Sequence, residues 1–113
     1  MKRMLGVTTV LALGLLATQA QAVKKGDPMR GQELSATCVA CHGPDGNSPV
    51  PEFPRIAGQY ADYMVQAMKA YKTGERNNPI MAGIVASLSE RDMEDLAAFF
   101  SQQKGDLYNL RLK

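Results

Sequence analysis

The chain has 113 residues, which is enough for a single domain. After position 22 it carries eleven basic and eleven acidic side chains, so it offers no basic excess for binding nucleic acid. It has no tryptophan and few other aromatic residues, and a domain of this size usually needs a cofactor or a cross-link besides its core.

The first predicted element is an export signal over residues 1–22. Lys2 and Arg3 give it a positive start, residues 4–17 are apolar apart from two threonines, and the segment ends in the small-x-small pattern that a signal peptidase cleaves. An uncleaved membrane anchor is the alternative, but the apolar run is shorter than the roughly 20 residues that a span requires. We therefore expect cleavage after Ala22 and a periplasmic domain over 23–113 without a membrane span.

Three helices joined by two loops are predicted for this domain, and no strand. The first helix begins with Asp27 as its N-cap and Pro28 at the first helical position, and it ends at His42. A loop follows over residues 43–58, where three glycines and four prolines prevent a regular helix.

The second helix is predicted from about Gln59 to Thr73 and ends at Gly74. Apolar side chains recur along it at helical spacing, which predicts a face toward the core. This stripe consists of Tyr60, Tyr63, Met64, Ala67, Met68 and Tyr71. Residues 75–88 form the second loop, which contains Met81 and a short helical turn toward its end.

The third helix has the clearest start, with Ser89 as its N-cap and Asp92 completing a capping box. Its predicted buried stripe is Met93, Leu96, Ala97 and Phe100, with Phe99 beside it. The sequence does not indicate a function for the tail over 104–113.

The segment Cys38-Val39-Ala40-Cys41-His42 has the C-x-x-C-H spacing of covalent haem attachment. Thiols three positions apart share one helical face and reach the two vinyl groups at one edge of a haem, where they form thioethers. His42 then lies beneath the iron as its proximal ligand, and its other ring nitrogen donates a hydrogen bond that fixes the tautomer. His42 is the one histidine in the chain, so none remains for acid–base catalysis.

Other uses of the two cysteines fit less well. A thioredoxin-like redox pair requires a βαβ context that the predicted elements do not provide. A closed structural zinc site needs four ligands, whereas Cys38, Cys41 and His42 are three. A disulfide between residues three apart is sterically poor. Haem attachment is therefore the favoured interpretation.

The second axial position on the iron then belongs to a methionine, a lysine, water or an open site. Four of the five methionines after residue 22 sit within predicted helices, namely Met29, Met64, Met68 and Met93. Met81 lies in the second loop, and the helix between it and His42 lets the chain return on the far side of a haem. The residues thus favour Met81 as the ligand, with core packing as its alternative.

These features together resemble the small soluble class I cytochromes c of bacteria, especially the single-haem carriers and the half-domains of the two-haem carriers. The resemblance covers about residues 26–103. It rests on Gly31-x-x-Leu34-x-x-x-Cys38-x-x-Cys41-His42-Gly43, Gly46-Asn47-Ser48, residues 53–59, Asn78-Pro79-Ile80-Met81 and residues 88–100. It implies an all-α class I cytochrome c fold, with three main helices and a short turn wrapped around one covalently bound haem c and its iron.

The resemblance also implies roles for individual residues. It places the axial methionine at Met81 and assigns the carbonyl that accepts the His42 N–H to Pro54. Gln59, Tyr63 and Asn78 would lie near the haem. Gly31 would allow a close approach of the first and last helices, where Phe99 or Phe100 packs.

The function implied is that of a one-electron carrier and not of an enzyme. Its partners would be redox proteins, with a cytochrome complex or a dehydrogenase as donor and a terminal oxidase as acceptor, and the chain would be a monomer or a weak dimer. Two alternatives remain: a cytochrome subunit fixed in a larger dehydrogenase or oxidase complex, and an enzyme or gas sensor with an open iron site, which requires Met81 to be off the iron.

Overall fold

The computed structural model describes residues 25–106, and the helices within that range are five. They are α1 (Pro28–Leu34), α2 (Ala36–His42), α3 (Ala61–Thr73), α4 (Pro79–Val85) and α5 (Glu90–Ser101). The described range contains no strand, so the predicted all-α class is confirmed. None of these helices is long and apolar enough to cross a membrane. The export signal predicted over 1–22 and the end of the tail after 106 lie outside the described residues.

The first predicted helix is in fact two helices, because the helical pattern is interrupted at Ser35. The predicted start is correct, since the Asp27 carboxylate accepts hydrogen bonds from the N–H groups of Met29 and Arg30, at 2.9 and 3.4 Å. At Ser35 both the hydroxyl and the backbone N–H donate to the Gln32 carbonyl, which competes with the regular helical pattern. As a result α2, which carries the C-x-x-C-H motif, is a separate element from α1.

The second predicted loop contains a helix of its own. Asn78 caps α4, and its side-chain oxygen accepts from the N–H groups of Ile80 and Met81, each at 3.1 Å. Pro79 occupies the first helical position, where its missing N–H costs nothing. Met81 was expected in a loop, and that prediction was wrong: it lies in the first turn of α4.

The last helix is the centre of the core. Its predicted capping box is present, with Ser89 N–H donating to the Asp92 carboxylate at 2.9 Å and Asp92 N–H donating to the Ser89 hydroxyl at 3.1 Å. The predicted stripe is confirmed, and the buried residues are Met93 and the continuous run Asp95, Leu96, Ala97, Ala98, Phe99 and Phe100. A helix buried on so many sides must be covered by several partners, and both α1 and α3 pack against it.

α1 crosses α5 at Gly31, as the resemblance implied. A Cβ atom at Gly31 would lie 2.0 Å from the carbonyl oxygen of Asp95 and 2.9 Å from the Cβ of Phe99. Such distances leave no room for a side chain, so the two backbones approach as closely as glycine permits. The start and the end of the described chain are therefore in direct contact at Gly31.

A buried carboxylate joins the same two helices. The side chain of Asp95 is 1% exposed and accepts from the Asp27 backbone N–H at 2.7 Å and from the Arg30 guanidinium at 2.5 Å. Arg30 also bonds to Asp92, at 2.6 Å. Burial raises the pKa of Asp95, but the bonds from Asp27 and Arg30 outweigh it and leave that pKa below its usual value. The Asp95 carboxylate is therefore ionised, and the bonds from Asp27 and Arg30 compensate its buried charge.

These bonds predict a loss of stability in acid. The Ser89 N–H, the Ser89 hydroxyl and then the Arg30 guanidinium lower the pKa of Asp92 to about 2, below the value of about 3.9 for an unfolded chain. The stabilisation from Asp92 is complete at a pH above the pKa of its unfolded state. It is lost as the pH falls through the pKa of its folded state. We therefore expect the urea concentration at the unfolding midpoint to decrease as the pH is lowered from about 5 to about 2.

Asp92→Asn should have a lower urea midpoint at about pH 5 and a shallower dependence on pH than the parent protein. Glu33→Gln, at an exposed carboxylate without an ion pair among residues 25–106, controls for the change in net charge. Parallel curves for Asp92→Asn and the parent protein would contradict the assignment.

Candidate functional site

A cavity of about 340 Å³ lies among α2, the 43–58 loop, α3, α4 and α5. All eight residues that the sequence and the resemblance selected line it: Cys38, Cys41, His42, Pro54, Gln59, Tyr63, Asn78 and Met81. Apolar side chains supply much of the remaining wall, including Ile56, Met64, Met68, Ile84, Leu96 and Phe100. Residues from five parts of the chain therefore meet at one apolar space.

His42, at the end of α2, is oriented by the loop that follows it. The side chain is buried, and its Nδ1 lies 2.7 Å from the carbonyl oxygen of Pro54. A carbonyl oxygen only accepts, so Nδ1 carries the hydrogen and donates, and the lone pair of a neutral ring is on Nε2. The contact that the resemblance implied is thus present, and it leaves the other nitrogen of His42 available to bind a metal.

The two cysteines lie on the same short helix as His42. Both are partly buried, and both line the cavity. Burial raises the pKa of the Cys38 thiol, with a smaller opposite effect from Thr37. Their spacing of three residues places them on one face of α2. No disulfide joins them, and the described residues contain no cluster of three or more His, Cys, Asp or Glu side chains that could hold a metal ion.

Met81 reaches the cavity from α4. The bonds from its own N–H and that of Ile80 to Asn78 fix the first turn of this helix, so Asn78 positions Met81 as well as lining the cavity. The resemblance implied that Asn78 lies near the haem, but the sequence analysis did not identify it as a helix cap. The Asn-Pro pair before an apolar run was the signal that could have shown the cap.

The apolar stripe of α3 faces the cavity more than a protein core. Met64 is buried, but Tyr60 and Tyr63 are each 50% exposed. Tyr63, Met64 and Met68 line the cavity, whereas Tyr60 does not, so the predicted core role was wrong for the two tyrosines. A stripe at helical spacing indicates an apolar neighbour without saying whether that neighbour is protein or cofactor.

Tyr71 and Arg76 were not selected from the sequence as site residues. Both line the cavity, and the guanidinium carbon of Arg76 lies 4.8 Å from the centre of the Tyr71 ring. The Arg76 backbone N–H donates to the Ala70 carbonyl at 3.0 Å, which ties the turn after α3 to the helix. No local motif marks such a pair, because the contact depends on how the turn folds back.

The groups at the cavity match the needs of a covalent haem. They comprise the imidazole of His42 with its Nε2 available, thioethers from α3 and α4 that include Met81, the thiols of Cys38 and Cys41, and apolar walls. A helical domain that presents a C-x-x-C-H motif to such a cavity is a small c-type cytochrome domain.

The comparisons with known proteins agree. The family model for cytochrome c matches residues 28–104, and the chain belongs to this family. The cofactor is accordingly haem c with its iron, bound covalently. Fold and family together confirm the predicted class I cytochrome c fold.

Individual relatives give the extent of the likeness. Cytochrome c4 of Pseudomonas aeruginosa is 44% identical over 98 residues, 87% of this chain and 47% of that protein. Cytochrome c-554(548) of Halomonas halodenitrificans is 40% identical over 82 residues, 70% of this chain and 99% of that protein. The crystal structure of reduced recombinant cytochrome c4 from Pseudomonas stutzeri has a TM-score of 0.68 at 43% identity, covering 73% of this chain and 48% of that one.

A further relative carries a different description. The thiosulfate dehydrogenase electron acceptor of Thiomonas intermedia is 32% identical over 105 residues, 92% of this chain and 45% of that protein. The chain thus spans about half the length of this relative and of the cytochrome c4 relatives it matches.

Proposed function

We propose that the chain is a periplasmic electron-transfer protein, not an enzyme, that carries one electron on one covalently attached haem c. The observation that supports this most is the meeting of Cys38, Cys41, His42 and Met81 at one apolar cavity. Two protein ligands leave no open position on the iron for oxygen, peroxide or a substrate, which favours electron transfer over catalysis.

Each residue has a defined task in this proposal. Cys38 and Cys41 would hold the haem through thioether bonds, and Nε2 of His42 and the sulfur of Met81 would bind its iron. When bound, the haem supplies a centre that gains or loses one electron. The Pro54 carbonyl keeps the proton of His42 on Nδ1, which directs Nε2 to the iron and makes the imidazole more basic. The apolar walls exclude water.

The rim of the cavity offers a surface for redox partners. Ile80 and Tyr63 line the cavity and yet are 63% and 50% exposed. Exposed apolar side chains beside a redox centre suit the small, transient contacts of electron-transfer partners. We propose a cytochrome complex or a dehydrogenase as donor and a terminal oxidase as acceptor, with the chain a monomer or a weak dimer.

Export is part of the same proposal. Residues 1–22 act as a cleaved signal, and 23–113 form the periplasmic cytochrome domain.

A second candidate function is that of a cytochrome subunit in a larger dehydrogenase or oxidase complex. The relative described as a thiosulfate dehydrogenase electron acceptor supports it. The two candidates differ in the lifetime of the contact with the partner. A carrier separates from its partner during gel filtration of a native periplasmic extract, whereas a fixed subunit elutes with it.

The test is expression of the full-length chain in a bacterial periplasm together with the haem-attachment machinery. We expect an intact mass equal to residues 23–113 plus one haem, and a reduced spectrum that carbon monoxide does not change. Replacement of both Cys38 and Cys41 by alanine should abolish the covalent haem. Rapid carbon monoxide binding by the reduced parent protein would overturn the carrier proposal in favour of an open iron site.

A further inference from the structure

The segment that follows α5 lies on the loop that orients His42. Asn47, in that loop, donates from its side-chain nitrogen to the backbone carbonyl of Lys104 at 2.9 Å. Two residues later, the Asp106 carboxylate forms an ion pair with Arg55, the residue directly after Pro54. The start of the tail thus bonds to the loop on both sides of the residue whose carbonyl accepts from His42.

The contact between these segments is tight at Gly105. A Cβ atom there would lie 2.8 Å from both the carbonyl oxygen and the Cβ of Ala57, and 2.9 Å from the Asn47 side-chain oxygen. Real side chains do not tolerate such distances to backbone, so the tail rests against the loop with glycine at the point of contact.

The loop is also closed upon itself near this point. The Gly46 carbonyl accepts from the N–H groups of Ile56 and Ala57, at 2.8 and 3.1 Å. This closure fixes residues 46 and 56 relative to each other, and the stretch from 47 to 55, with Pro54 near its end, lies between them. The bonds from Lys104 and Asp106 reach the two ends of this stretch, at Asn47 and Arg55.

We propose that residues 104–106 and Asn47 form a C-terminal clamp that positions the Pro54 carbonyl against His42 Nδ1 and thereby sets the strength of that hydrogen bond. The proposal rests on the proposed role of His42 as an iron ligand, and it assigns the start of the tail to the redox site. A hydrogen bond from Nδ1–H to a carbonyl makes the imidazole more basic and favours the ferric iron. A loosened clamp weakens this bond and raises the midpoint potential.

The contacts of the clamp differ in how much they stabilise it. Arg55 and Asp106 are 51% and 80% exposed, and an exposed ion pair contributes little. The Asn47 bond and the close packing at Gly105 therefore carry the clamp. Asn47 is also held in place, since its side-chain nitrogen and its backbone N–H both donate to the Asp45 carboxylate, at 2.9 and 3.0 Å.

The test compares Asn47→Ala and Gly105→Ala with the parent protein in the haem-loaded, reduced state. The first readout is hydrogen exchange of the His42 ring N–H, followed by NMR on protein with labelled histidine. We expect exchange to be about fivefold to tenfold faster in both variants, as the loss of one hydrogen bond implies. The second readout is the midpoint potential, which should rise.

Ser101→Ala is the matched control. It removes one side-chain bond to a backbone carbonyl, from Ser101 to Ala98 at 3.0 Å, near the same end of α5, and neither of these two residues belongs to the 43–58 loop. Its ring exchange and potential should equal those of the parent protein. Unchanged values in Asn47→Ala and Gly105→Ala, or equal changes in Ser101→Ala, would overturn the clamp.

Failure of the clamp and failure of the proposed function give different results. The far-red absorption band of ferric iron bound to methionine sulfur reports the ligation in the parent protein. Its absence refutes the Met81 assignment, whereas its presence with unchanged ring exchange in both variants refutes the clamp alone.

Discussion

Met81→Ala in the haem-loaded protein is expected to lose the weak far-red band of the ferric form. Its midpoint potential should fall by on the order of 0.1–0.3 V, a fraction of the roughly 0.8 V that axial ligands span. The reason is that a thioether ligand favours ferrous iron, and its replacement by water or a nitrogen ligand removes that preference. Absorption spectra of both oxidation states and a redox titration measure the two effects.

Met68→Leu separates this effect from a general change in the cavity. Met68 also lines the cavity, but it does so from α3, and leucine conserves its volume. This variant should keep the far-red band. Met81→Ala should in addition bind carbon monoxide when reduced. Retention of the band in Met81→Ala would assign the sulfur ligand to another methionine.

The parts of the site that the sequence predicted are those with local rules. The C-x-x-C-H spacing is a short-range constraint, and so are the caps at Asp27 and Ser89. Met81 followed from position, because the other methionines had helical neighbours to pack against. The prediction made Met81 the iron ligand from an expected loop position, whereas the structure places it at the cavity but on the helix α4.

The parts that the sequence did not predict depend on contacts between distant residues. Asp95 reads as an exposed position in a helix with an acidic first turn, yet its carboxylate is buried by partners at Asp27 and Arg30, over 60 residues away. The break at Ser35 depends on the hydroxyl and the backbone N–H of one residue both donating to the Gln32 carbonyl. Tyr63 lines the cavity and is half-exposed, which the helical periodicity of α3 does not show.

The 43–58 loop depends both on its local sequence and on contacts with distant residues. Its prolines and glycines show from the sequence that it is not helical, but its conformation comes from contacts with α2 and with the residues after α5. Helix and loop are therefore predictable separately, while the hydrogen bond from His42 to Pro54 is a property of their packing. The same reasoning applies to the crossing of α1 and α5, where one glycine decides whether two helices can touch.

Gly31→Ala is expected to lower the free energy of unfolding by about 2 kcal/mol. The new methyl group would meet the Asp95 carbonyl oxygen at 2.0 Å, so α1 and α5 must separate, and overpacking of this kind costs about 1–3 kcal/mol, occasionally more. Alanine is a better helix former than glycine by up to about 1 kcal/mol, which offsets part of the cost. The cost of the clash exceeds the gain in helix propensity, because the contacted atom belongs to the backbone and cannot rotate away.

Gly83→Ala makes the same substitution without the obstacle. Gly83 lies in α4, is exposed, and has nothing within 4 Å of the position where a Cβ atom would be. Helix propensity then acts alone, and this variant should be stabilised by up to about 1 kcal/mol. Urea unfolding of the two haem-loaded variants and the parent protein measures both changes. Equal effects at the two positions would show that α1 and α5 are not in close contact at Gly31, and the position of α1 on α5 would have to be revised.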